Sequence, residues 1–200
     1  MKPTSLKITV VATIFYASSA WTGHAESLAI QNCNWCHGAS AQGYQPAPRL
    51  AGQSDKYIEN QLISFSNHTR DNPFSRQYMW GAAANLSPQM VHYLAAYFST
   101  VPPRAADDGF RELAPTGAAI YQDGIPESNV VSCVACHGPN AEGVGEIPRL
   151  GGLSYYYVKR RLEQWSEGFN SAAKFPMPHI ASSLSPDQIE ALASYLSFVQ

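Results

Sequence analysis

Two six-residue stretches carry most of the chemistry in this chain. "CNWCHG" occupies residues 33–38, "CVACHG" occupies 133–138, and there is no other cysteine. In an exported protein four cysteines ordinarily read as two disulfides. Here each pair encloses only two residues, a loop too short to staple a fold, and a disulfide leaves the adjoining histidines without a purpose. Zinc would need four ligands gathered at one place, and a thioredoxin-like pair would need a βαβ setting that the sequence lacks. Cys-x-x-Cys-His is the attachment signature of a c-type haem. Two cysteines three apart at a helix end can form thioethers with the two vinyl groups of one porphyrin, and the next residue turns its imidazole under the ring. Cys33 and Cys36, then Cys133 and Cys136, predict two covalently bound haem c groups.

His37 and His137 are then the expected proximal iron ligands. A ligating imidazole needs a partner for its second nitrogen, commonly a backbone carbonyl. "PRL" recurs 11 residues after each histidine, making Pro48 and Pro148 the candidates for that carbonyl. Arg49 and Arg149 suit either haem propionates or a solvated face. For the opposite axial position, Met79 and Met177 each stand seven residues before the Leu of a repeated "LSP". A methionine is more often core filler than ligand, but repetition 42 and 40 residues after the proximal histidine favours ligation. Met90 has no counterpart and is expected to pack on the last helix of its half. His68, His92 and His179 are also unrepeated; His179 lies two residues from Met177.

These residues require elements that repeat. At an offset of 100, Ile58, Leu62 and Phe65 match Val158, Leu162 and Trp165, a helical stripe in each half. At an offset of 98, Val91, Leu94, Ala95 and Phe98 match Ile189, Leu192, Ala193 and Leu196. Ser87 and Ser185 are predicted N-caps, each followed by proline at the first helical position. Gln188 completes a capping box, and Leu184 can staple onto Ile189. The expected fold is all-α, with two tandem haem domains related by duplication, at 26–101 and 113–200, joined by a Pro-rich, charged linker at 102–112. Domains this small often depend on a metal or covalent staple, and a macrocycle would supply the missing core.

Lys2 and Lys7, an apolar run from Ile8 to Ala20 and "GHA" ending at Ala25 read as a signal peptide over 1–25, cleaved before Glu26. The apolar run is short for a bilayer span, so the mature chain is expected to be exported. Removing Lys2 and Lys7 leaves 11 basic against 15 acidic side chains, a net charge of −4. Residues 26–103 carry four of each sign, and 104–200 carry 7 basic against 11 acidic. Nucleic acid, which favours a basic face, is not an expected partner.

The tandem pattern, with "GAAIYQDGIPESNVVSCVACHGPNAEGVGEIPRLGG" in the second half and Met-x6-Leu-Ser in both, resembles the di-haem cytochrome c4 family over essentially the whole mature chain. The resemblance implies two cytochrome c-type domains about a pseudo-twofold axis. It also implies His37/Met79 and His137/Met177 iron, and electron carriage in the periplasm. Two departures stand out. The segment before Cys33 is short, which predicts an abbreviated opening helix. "FPMPHI" flanks Met177 with prolines where "QYMWGA" has none, which predicts two unlike haem environments.

A His/Met pair fills both axial positions and leaves no site for substrate, so the expected role is non-enzymatic. Electrons would come from a quinol-oxidising complex or dehydrogenase and pass to a terminal membrane oxidase. The partners are redox proteins, peripheral contact with the membrane is allowed, and the chain is expected as a monomer. The alternatives are a cytochrome subunit of a larger periplasmic dehydrogenase and a catalytic di-haem enzyme, which would need an open or Cys-ligated iron. Charge alone makes the second haem the lower-potential one.

Overall fold

Each half is built from the same few helices, and side-chain caps start those at Asp55, Pro88, Tyr155 and Pro186. The computed structural model describes residues 15–45, 47–169 and 176–200; residues 1–14 of the expected signal peptide lie outside them. The first half contains α1 (Phe15–His37), α2 (Asp55–Ser66), α3 (Trp80–Ala83) and α4 (Pro88–Thr100). The second contains α5 (Ala114–Asp123), α6 (Val134–His137), α7 (Tyr155–Ser166), α8 (Met177–Ser182) and α9 (Pro186–Phe198). Among the described residues no strand forms, only the isolated bridges Ile125–Val130 and Val144–Ile147. The chain is all-α. No described helix is long and apolar enough to cross a membrane.

Ser87 and Ser185 cap α4 and α9 through their side chains, and Gln188 closes the capping box by accepting from the Ser185 amide at 2.8 Å. The apolar stripes of both helices are buried. Ser54 caps α2, but Ser154 does not cap α7. Asp108, a linker residue, does so instead: its carboxylate accepts from the Tyr155 amide at 2.8 Å and the Ser154 hydroxyl at 2.7 Å. A carboxylate at a helix N-terminus also complements the dipole.

The opening helix runs straight into the first attachment motif. α1 is a continuous 23-residue helix, and the Glu26–His37 part alone makes about three turns. That part contains neither glycine nor proline, so the helix runs unbroken into the attachment motif. In the second half Gly124, at φ 73°, ends α5. A Cβ there would lie 2.3 Å from the Val130 carbonyl oxygen, so only glycine permits the turn that separates α5 from α6.

The two cores are unequal. The first gathers Ala41, Ala51, Ile58, Leu94, Ala95 and Phe98; the second is larger and adds Tyr121, Tyr155 and Tyr157. One cause is the close seating of α5 on α9, where Gly117 lies so near Ala191 that any Cβ would strike its carbonyl. The linker is itself hydrogen-bonded to both halves. Gln42 bonds the Pro102 carbonyl and the Arg104 amide, each at 3.0 Å, while the hydroxyls of buried Ser194 and Ser197 accept from the Phe110 and Gly109 amides.

Candidate haem sites

Both attachment motifs end a helix, and the same backbone bonds fold the chain back over each histidine. Cys33 and Cys36 lie on the last turns of α1, which ends at His37; Cys133 stands at the cap of α6, which ends at His137. Gly38 and Gly138, at φ 85° and 81°, turn the chain away from the helix. The Gly43 and Gly143 amides then return to the His37 and His137 carbonyls, each at 2.8 Å. Leu50 and Leu150 bond Ala41 and Ala141 at 2.9 and 2.8 Å.

This return places a proline carbonyl beside each ring. His37 Nδ1 lies 2.7 Å from the Pro48 oxygen, and His137 Nδ1 lies 2.9 Å from the Pro148 oxygen. A carbonyl can only accept, so Nδ1 donates and Nε2 keeps its lone pair. Both rings are buried, at 6% exposure, and burial lowers their pKa. A neutral, oriented imidazole is the form that binds iron. None of the four cysteines forms a disulfide. Burial, foremost, pushes Cys33 and Cys133 up to about 11, which removes the depressed-pKa thiolate that a thioredoxin-like pair would use.

Gly43 and Gly143 were not singled out in the sequence, although they also repeat at an offset of 100. Both have positive φ, and a Cβ at either would lie 2.4 Å from the Pro-Arg peptide that presents the carbonyl.

Met79 and Met177 are half-buried and differently mounted. Met79 ends a π-helical turn, Ser75–Met79, opened by Asn72, which bonds Ser75 through both its hydroxyl and its amide. The next residue, Trp80, donates to the Arg70 carbonyl at 2.9 Å and stacks on His68, with ring centroids 3.9 Å apart. Met177 instead opens α8, with Pro176 at the cap and Pro178 behind it. Residues 170–175, which include Phe175 of the "FPMPHI" segment, lie outside the described residues. Met90 packs against the first core. His92 pairs with Glu59, and His179 accepts the Ser182 and Ser183 hydroxyls on its carbonyl.

Arg49 is buried between the halves, rather than on a solvated face. Its guanidinium donates to the carbonyls of Arg104 at 2.5 Å, Gly152 at 2.8 Å and Gly151. Arg149 stays within its own half, donating to Gly151 at 3.3 Å. Burial, and then the charge of Arg149, pulls the Arg49 pKa down to about 10. Tyr57 and Tyr157, equivalent in the repeat, both hydrogen-bond Arg70 at the same junction. Such self-related contacts are what a twofold arrangement produces.

None of the ion pairs among the described residues involves Arg49, Arg70, Arg149 or Arg161. Arg49 and Arg161 are buried and Arg70 and Arg149 half-buried, and guanidinium groups in such places with no carboxylate beside them can take an anionic partner. Among the described residues, the buried side-chain atoms lacking a partner include two donors, Arg70 Nε and Trp165 Nε1. Haem propionates are anionic acceptors, and the residues at this junction fit them.

An all-helical tandem of two units, each ending a helix in Cys-x-x-Cys-His and turning a proline carbonyl onto the histidine, defines a two-haem c-type cytochrome. The family model for cytochrome c matches residues 24–102 and 114–200, and the chain belongs to that family, among the di-haem cytochromes c4. It is 36% identical to cytochrome c4 of Thiocapsa roseopersicina over 176 residues, spanning 82% of this chain and 85% of the relative. It is 38% identical to a thiosulfate dehydrogenase electron acceptor of Stutzerimonas stutzeri (strain A1501) over 173 residues, spanning 84% and 78%. The solved structure of cytochrome c4 from Acidithiobacillus ferrooxidans superposes with a TM-score of 0.78 at 32% identity, covering 84% of this chain and 98% of that one. The four motif cysteines attach two haem c groups, and the protein is an electron-transport protein.

Proposed function

We propose that the chain is a periplasmic electron carrier, exported by residues 1–25 and folded as domains 26–101 and 113–200. It accepts electrons from a quinol-oxidising complex or a dehydrogenase and passes them to a terminal oxidase. His37 and Met79 hold the first iron, and His137 and Met177 the second. The haem iron supplies a one-electron ferric/ferrous couple. The protein's residues supply its setting. Pro48 and Pro148 fix each imidazole by accepting from Nδ1. Ile58 and Val158 line the buried faces of α2 and α7, and the arginines of the junction offset propionate charge.

The observation that carries this reading is the pair of histidine–proline bonds, 2.7 and 2.9 Å, made identically in two halves. If His37 and Met79 held one iron and His137 and Met177 the other, neither haem would offer a substrate site. The test is carbon monoxide binding to the reduced protein. Six-coordinate haems bind it slowly and incompletely; rapid stoichiometric binding at one haem would support a catalytic di-haem enzyme instead.

A second reading, an electron-accepting subunit of a dehydrogenase, is favoured by the 38% identity to a thiosulfate dehydrogenase electron acceptor. It keeps the chemistry and changes the partner. Reduction by a purified thiosulfate dehydrogenase with thiosulfate, compared with reduction by a quinol-oxidising complex, separates the two: the physiological donor is the faster one at matched concentration.

A further inference from the structure

Trp35 is the most exposed large hydrophobic side chain among the described residues, at 88%. It sits inside the first attachment motif, directly before Cys36. A solitary exposed hydrophobic residue is ordinary. Three features set this one apart. The repeat places Ala135 at the same position of the second motif, so the motif does not require an aromatic there. Tyr44, also exposed at 54%, follows Gly43 in the loop that folds back over His37. From Ser27 to Ser54 the only Lys, Arg, Asp or Glu is Arg49, and it is buried. The exposed surface contributed by that whole stretch is therefore uncharged. The matching stretch of the second half, 127–154, presents Glu127, Glu142 and Glu146.

We propose that Trp35 anchors a docking surface for a redox protein whose own electron-exit face is uncharged and apolar, seating that partner beside the first haem. This rests on the electron-transfer reading. The charge distribution selects the occupant. A charged partner patch laid on residues 27–54 would lose its hydration and meet no counter-charge. An apolar face would gain the burial of an indole, the side chain most often dominant at interfaces. Without charges to steer it, association has little dependence on salt. The acidic stretch 127–154 lacks the indole and favours a cationic face, so the two stretches discriminate between partners.

Gold electrodes carrying methyl-terminated and amine-terminated alkanethiol monolayers test this, the first standing for an uncharged apolar face and the second for a cationic one. The full-length protein with both haems is compared with Trp35→Ser and Trp35→Phe, and surface affinity and electron exchange are read by voltammetry. Haem content and solution potentials should match in all three. On the methyl surface, wild type should bind with an affinity that changes less than about twofold between low and high salt. Trp35→Ser should bind about tenfold more weakly, and Trp35→Phe should retain most of the affinity. On the amine surface all three should bind alike and be released by salt. Equal binding of wild type and Trp35→Ser to the methyl surface would overturn the proposal, as would equal losses on both surfaces. Trp35-dependent adsorption without electron exchange at either surface would uphold the docking surface and contradict the electron-transfer reading.

Discussion

Glu59 and His92 pair at 2.7 Å between α2 and α4, and the repeat puts Lys159 and Glu190 in the same two places, 2.8 Å apart between α7 and α9, with the carboxylate on the other helix. The clamp is conserved by position while its chemistry is not. In the first half, the hydrogen bond from His92 holds the Glu59 carboxyl below its usual range. In the second, Glu190 holds Lys159 above its usual range.

Each clamp contains a carboxylate, so acid weakens both. A depressed carboxyl contributes stability above its unfolded value, about 4.3, and loses it as pH falls through the folded value. A raised lysine contributes below its unfolded value, about 10.4, for as long as its carboxylate partner is ionised, and loses that contribution as pH rises through the folded value. Glu59→Gln should cost less than about 1 kcal/mol near neutrality, as exposed pairs do. Thermal unfolding between pH 7 and about pH 3.5 should show that difference vanish in acid. A difference that persists unchanged would mean that the pair does not stabilise the fold.

Gly43→Ala and Gly143→Ala should each destabilise by about 1–3 kcal/mol, through a left-handed backbone and a contact with the Pro-Arg peptide. Each should also raise the potential of its own haem, because a weakened Nδ1–H bond makes the imidazole a poorer donor to iron. Unfolding and redox titration check both effects. An unshifted potential beside lost stability would separate the glycine from the iron.

Much of this was legible because it is local and written twice. The attachment motifs, the caps at Ser87 and Ser185 and the stripes of α4 and α9 rest on spacings of a few residues, which sequence records directly. What was missed depends on contacts distant in sequence. Asp108 read as a linker charge, but it caps α7 from 47 residues away. Arg49 and Arg149 are identical in the repeat, yet only Arg49 crosses to the other half. Gln53 similarly bonds both the amide and the carbonyl of Arg149, where its own repeat partner is Leu153. Duplication predicts equivalent positions within each half, but a junction gives each copy a different neighbour.

Arg49→Lys should cost about 2–4 kcal/mol, since an ammonium cannot satisfy the carbonyls of Arg104, Gly151 and Gly152 together. Arg149→Lys should cost less. Limited proteolysis across residues 102–112 should accelerate in the first variant more than in the second. Equal sensitivity would remove Arg49 from its place as the strut between the halves.

The excess of acidic side chains in the second half should favour ferric iron there and make the His137/Met177 haem the lower-potential centre. Surface charge is screened, so the gap between the two potentials should narrow as salt is raised. A gap independent of ionic strength would assign the difference to the unlike mountings of Met79 and Met177.

The most direct test of two His/Met haems in one carrier is redox titration of wild type, Met79→His and Met177→His, read with the weak long-red absorption band of methionine-bound ferric haem. Each variant should lose about half of the band, keep both haems and lower the potential of its own haem alone. A band left whole in either variant, or a fall in both potentials from one substitution, would contradict the assignment of Met79 and Met177 to separate irons.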